Sequence, residues 1–112
     1  TALQHGATPI ILLFNNSMYG TIRMHQEREY PDRVIGTDLT NPDFTALARA
    51  YGAHGECVRR TAEFAPALKR ARASGKAAVI ELILDPEQIT TRTTLSEIRE
   101  AARRRSQVQS QA

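Results

Sequence analysis

Ile10-Ile11-Leu12-Leu13-Phe14 is an apolar run with no polar interruption, and it stops abruptly at Asn15-Asn16-Ser17. A run this short, without polar alternation, suits a strand buried on both faces of a parallel sheet, where crossover helices cover each side. The abrupt polar switch then puts a loop at the strand's carboxyl end. A second nearly continuous run, Ala77 to Leu84, is interrupted only by Glu81 and closed by Asp85-Pro86. Helical signals lie between the two. Asn41 is placed to cap a helix with Pro42 at its first position, and Phe44, Leu47, Ala48 and Tyr51 fall on one face before Gly52. Residues 54–58 read as a short weak strand. Thr61 is placed to cap another helix carrying Phe64, Leu68 and Ala71, with Pro66 expected to delay or loosen its start. Before Gly6, the opening residues read as the last turn of a helix. A short helix fits Tyr19 to Glu29, and residues 30–39 fit an irregular excursion.

Strand, helix, strand, helix, strand predicts an α/β fold, the C-terminal portion of a doubly wound parallel sheet and incomplete as a stand-alone domain. At 112 residues there is room for one domain. The expected organisation is a folded part over residues 1–92 and a C-terminal tail over 93–112, with a helical turn near Thr94 and a disordered stretch from Ser106 to Ala112. No apolar run is long enough to span a bilayer, and the N-terminus lacks the order of a signal peptide, so a cytoplasmic protein is expected. The single cysteine, Cys57, excludes an internal disulfide and a thiolate zinc site. It is expected to be a small buried hydrophobe. A net charge of +3 raises nucleic acid as a partner, yet much of the excess sits in Arg103, Arg104 and Arg105.

Ligands of open parallel sheets bind beyond the carboxyl ends of the strands, which directs attention to Asn15-Asn16-Ser17-Met18-Tyr19-Gly20. Side-chain amide and main-chain oxygens there are hard, neutral ligands suited to Mg²⁺ when the bound molecule itself brings negative charge. Taken alone, an Asn-Asn pair is more often simply a turn. The run from Ile11 to Gly20, with Gln26 following, resembles the second half of the thiamine diphosphate binding motif. That motif opens with Gly-Asp-Gly and ends in Asn-Asn after a hydrophobic strand. Gly36-Thr37-Asp38-Leu39, Asn41-Pro42-Asp43-Phe44, Ala48-Arg49-Ala50-Tyr51-Gly52, Ile80-Glu81-Leu82 and Thr93-Thr94-Leu95-Ser96 are likewise similar to acetolactate synthase-like enzymes. The likeness extends over roughly residues 1–100.

The resemblance implies thiamine diphosphate and Mg²⁺ as cofactors. Asn16 would give its side-chain oxygen and Met18 its main-chain carbonyl to the metal, and Asn15, Ser17, Tyr19 and Gly20 would shape the cofactor loop. The reaction implied is decarboxylation of a 2-oxo acid followed by carbon–carbon ligation. The family's third metal ligand, the aspartate of Gly-Asp-Gly, is expected in an N-terminal part of the same chain. The activating glutamate is expected from a partner subunit of a homodimer or tetramer, and the segment alone is expected to be inactive. No catalytic residue is assigned, and neither nucleic acid nor membrane is an expected partner. Two other readings compete: a cofactor-free structural α/β subunit, and a small basic nucleic-acid-binding module resting on Arg99 and Arg103 to Arg105. The second lacks the interleaved aromatics that nucleic-acid binding calls for. His25 reads as a surface or substrate-facing group, and His5 and His54 as caps beside glycines.

Overall fold

A computed structural model describes residues 1–111. The chain forms two compact units, one of residues 1–15 and 41–84, the other of residues 16–40 and those from 85 onward.

The first unit opens on a hydrogen-bonded turn over residues 2–6. The N–H of Ala7 reaches the Ala2 carbonyl (2.8 Å) and that of Gly6 the Leu3 carbonyl (3.2 Å), with Gly6 at φ +68°. This pair of bonds is the Schellman arrangement that glycine permits at a helix C-terminus. The strand β1 (Ile10–Asn15) follows, then the helix α2 (Phe44–Ala50), β2 (His54–Val58), α3 (Thr61–Ala73) and β3 (Ala78–Ile83). The helix α1 (Gly20–Glu29) lies between β1 and α2 in sequence, in the other unit. The sheet is parallel with order β1-β3-β2; Ile10 to Asn15 pair with Ala78 to Ile83, and His54 to Val58 with Ala78 to Leu82. One face is filled by Val58, Ala78 and Ile80 against Ala67 and Ala71 of α3, with Phe64, Leu68 and Leu82 around them. On the other face, Phe44, Leu47 and Ala48 of α2 stand beside Ile11, Leu13 and Val79. The parallel α/β reading therefore holds.

Several local expectations are corrected. The expected double-sided burial of β1 is not met: Ile11 is 50% and Phe14 66% exposed, because β1 is an edge strand and both helices pack over β2 and β3. Asn41 does not cap α2. Asp43 does, accepting from the Ala46 N–H at 2.8 Å and the Thr45 hydroxyl at 2.7 Å, so the helix begins at Phe44. Those two donors hold the Asp43 carboxyl below its ordinary range, main-chain N–H first. Thr61 is the first residue of α3 and not its cap; the Glu63 carboxylate takes the N–H groups of Arg59 (3.0 Å) and Arg60 (3.2 Å). The helix runs straight through Pro66. The carbonyl that the proline leaves without a donor belongs to exposed Ala62, where water can satisfy it. Cys57 is exposed on the edge strand β2, not buried.

In the second unit, α1 packs with a long C-terminal helix, α4 (Leu95–Gln111). The disordered stretch expected from Ser106 is instead helical through Gln111, and Ala112 lies outside the described residues. Leu95 and Ala102 are the buried residues of α4. Its start is set by Glu97, whose carboxylate accepts from the Thr94 N–H at 2.8 Å while the Thr94 hydroxyl accepts from the Glu97 N–H at 3.2 Å. This is a reciprocal capping box. No helix among the described residues is long and apolar enough to cross a membrane.

Candidate functional site

Asn15 ends β1 and is held by two other segments of the first unit, β3 with its end and the stretch before α2. Its carbonyl accepts from the Leu84 N–H at 2.8 Å. Its side-chain Nδ2 donates to Oε1 of Glu81 at 2.7 Å, and its Oδ1 accepts from Nδ2 of Asn41 at 2.9 Å. Glu81 sits in the central strand, level with Leu13 and Cys57, and is only 7% exposed. Neither Glu81 nor Asn41 belongs to the expected site residues. The signal was nevertheless present in the sequence, as a single acidic residue inside an otherwise apolar strand.

The following residues belong to the second unit. Ser17 adopts φ +57°, a left-handed conformation that costs a non-glycine residue roughly 1 kcal/mol or more. The turn it makes lets the Asn16 Oδ1 accept from the Met18 N–H at 3.3 Å. Asn16 Nδ2 points the other way, toward Gly20, where a Cβ would come within 2.7 Å of it. Glycine at this position makes room for the Asn16 amide. The loop is then tied to residues 37–39: Tyr19 N–H donates to the Thr37 carbonyl at 2.8 Å and Leu39 N–H to the Ser17 carbonyl at 2.9 Å. These bonds flank a Met18–Asp38 bridge, so the Met18 carbonyl takes no part in the ladder. Asn16, Met18 and Gly20 are thus brought together, Ser17 supplies the turn, and Tyr19 anchors the loop through its backbone with its ring half exposed.

This loop offers a side-chain amide oxygen with a further lone pair and a main-chain carbonyl two residues on. Both are hard, neutral donors, compatible with Mg²⁺ that also takes phosphate oxygens and water. The Gly20 cradle fits that use, since any larger residue would displace the Asn16 amide. Among the described residues no group of three or more His, Cys, Asp or Glu is placed to hold a metal unaided.

Elsewhere the sequence candidates are accounted for locally. The His54 imidazole meets Glu56 at 2.7 Å within β2, a side-chain pair and not a helix cap. His25 lies exposed on α1 against Arg28. Partial desolvation on the sheet edge raises the Cys57 thiol above its usual range, the opposite of what a nucleophile needs. Three of the C-terminal arginines are engaged within the second unit. Arg99 makes a fork to Glu27 (2.7 and 2.8 Å), Arg103 a fork to Asp32 (2.6 and 2.8 Å), and Arg105 donates to the Arg28 carbonyl at 3.0 Å. Glu27 is fully buried, and its carboxyl is lowered to about 2, chiefly by Arg99 and further by the Asp32 N–H and Arg23. Arg99 and Arg103 thus neutralise carboxylates of their own unit, while Arg105 binds a main-chain carbonyl.

Parallel α/β sheets as a class bind ligands beyond the carboxyl ends of their strands, and the loop that follows β1 in sequence carries the hard oxygen donors. The chain belongs to the thiamine pyrophosphate enzymes, matching the family described as "Thiamine pyrophosphate enzyme, C-terminal TPP binding domain" over residues 1–82. It is similar to a probable acetolactate synthase of Mycobacterium bovis (strain ATCC BAA-935 / AF2122/97), 34% identical over 86 residues that cover 77% of this chain and 16% of the relative. A sulfoacetaldehyde acetyltransferase of Alcaligenes xylosoxydans xylosoxydans is 30% identical over 91 residues, 78% of this chain and 15% of that protein. The large subunit of acetolactate synthase isozyme 2 from Escherichia coli (strain K12) is 39% identical over 59 residues, 52% and 11% respectively. The chain spans about a sixth of the length of the first of these relatives.

Proposed function

We propose that this chain carries part of the diphosphate anchor of a thiamine diphosphate- and Mg²⁺-dependent enzyme. The reaction is acetolactate synthase-like: a 2-oxo acid is decarboxylated and the remaining fragment is joined to a second carbonyl compound. The observation that carries the reading is the Asn16–Met18 turn, which offers an amide oxygen and a main-chain carbonyl free of the neighbouring ladder. Two neutral donors suit a cation whose remaining ligands are phosphate oxygens, because the diphosphate already supplies the negative charge. Kinship with acetolactate synthases supports the substrate class.

In this reading Asn16 binds the metal through Oδ1 and Met18 through its carbonyl. Ser17 supplies the turn between them, Tyr19 and Gly20 hold the loop and clear the space, and Asn15 fixes the strand end that precedes it. When bound, the cofactor supplies the electron sink for decarboxylation; the protein contributes binding, orientation and electrostatics. The test is Asn16→Ala in the full-length protein. Loss of one metal-binding oxygen is expected to raise the Mg²⁺ and thiamine diphosphate concentrations needed for half-maximal activation by roughly 10–100-fold, the range for disturbed metal sites. Unchanged activation by both removes Asn16 from the site.

A further inference from the structure

We infer that Glu81 is a positioning residue for the cofactor loop, acting through Asn15; the inference rests on the proposed role of Asn16. A carboxylate is an expensive choice for the centre of a sheet. Glu81 lies between Leu13 and Cys57 on the neighbouring strands, almost without exposure, and an apolar residue would fill that place at lower cost. The group on its Oε1 is a neutral amide and not a cation, the Nδ2 of Asn15 at 2.7 Å. Stabilisation by an ion pair is therefore not what that contact supplies.

What it supplies is direction. An ionised carboxylate only accepts hydrogen bonds, whereas an asparagine amide both donates and accepts and can turn either end toward a neighbour. Facing Glu81, Asn15 is made to present its nitrogen, which turns its oxygen to the Asn41 Nδ2–H at 2.9 Å. The Leu84 N–H on the Asn15 carbonyl completes the hold. One orientation of the Asn15 amide is selected by Glu81 and Asn41, which come from separate segments, and the next residue in the chain is Asn16. A rigid strand end limits the positions from which the Asn16 turn can start, much as outer hydrogen-bond partners fix the ligands of a metal site. Asn41, the other arm, does not cap α2, whose N-cap is Asp43, and its side chain donates to Asn15 instead.

The test uses the full-length protein and calorimetric titration, with Mg²⁺ added in the presence of thiamine diphosphate, so that affinity is read without turnover. Asn16→Ala serves as the reference. Glu81→Leu removes the acceptor and is expected to weaken Mg²⁺ binding by roughly tenfold or more. Glu81→Gln, which can still offer an oxygen to Asn15, is expected to restore affinity to within about threefold of the parent. Asn41→Ala removes the other arm and should fall between them, with the thermal unfolding of the cofactor-free protein close to that of the parent. If Asn16→Ala weakens binding while Glu81→Leu and Asn41→Ala bind as the parent does, the positioning role is overturned and the site stands. If Asn16→Ala binds normally, the site reading fails and takes this inference with it. Should Glu81→Leu not fold, Asn41→Ala decides: weakened binding supports the clamp, and parental affinity overturns it.

Discussion

Gly20 has no space for a methyl group. A Cβ there would lie 2.7 Å from the Asn16 amide nitrogen and 3.0 Å from Ile89, so Gly20→Ala must displace one or both. Alanine favours the helix by about 1 kcal/mol, and a variant governed by helix propensity alone would gain stability. The expected outcome is the reverse at the site: weaker Mg²⁺ and cofactor binding by the full-length protein, read by titration, with little gain in melting temperature. Thr37 presents a different case. Its hydroxyl is buried, with 1% of the residue exposed, and finds no hydrogen-bond partner among the described residues. Thr37→Val is expected to leave stability unchanged or raise it by about 1 kcal/mol in urea denaturation, since it removes an uncompensated polar group. Both effects were hidden in the sequence. The Asn-Asn pair and Gly20 were visible there, but the direction of the Asn16 amide depends on the left-handed turn at Ser17, which no local rule assigns to serine.

Among the elements, α4 departs most from its sequence. Thr, Arg, Ser and Gln dominate its surroundings, and such a composition reads as unstructured because it can bury little apolar area. Charge holds it instead: Arg99 forks onto buried Glu27 of α1, with Arg103 on Asp32 after it. Removing one partner of a buried pair leaves an uncompensated charge at a cost of roughly 3–5 kcal/mol, less what Arg23 retains at 3.1 Å. Arg99→Ala is therefore expected to loosen α4 first, seen as lost amide-exchange protection over Leu95–Gln111 before any loss over β3. The pH dependence follows from the same carboxyl. Glu27 titrates near 4.5 when unfolded and at about 2 when folded, so its contribution is complete above about pH 4.5 and drains away as pH falls toward 2. Acid unfolding of the second unit should shift accordingly in Glu27→Gln, which lacks that titration. Helix pairing of this kind was not legible, because Glu27 and Arg99 lie 72 positions apart and neither falls in an apolar pattern.

At the scale of the whole molecule, the exposed side chains of β1 set the solution behaviour. Ile11, Leu12 and Phe14 stand on the two faces of an edge strand whose outer side has no neighbouring strand among the described residues. Such an edge invites association. Residues 1–112 produced by themselves are expected to self-associate with rising concentration in sedimentation velocity, and Phe14→Lys should lower that tendency. The sequence alone determined the parallel α/β layer, because unbroken apolar runs and glycine stops are local properties written in consecutive residues, and the Asn-Asn phrase with its neighbours carried the resemblance to the family. Only the tertiary structure decided that β1 is a sheet edge, that Asp43 and not Asn41 caps α2, that Glu81 and Asn41 grip Asn15, and that an arginine-rich tail is a helix on buried Glu27. Each of these depends on which distant residues meet, and a buried polar group declares its purpose only when its partner is in place.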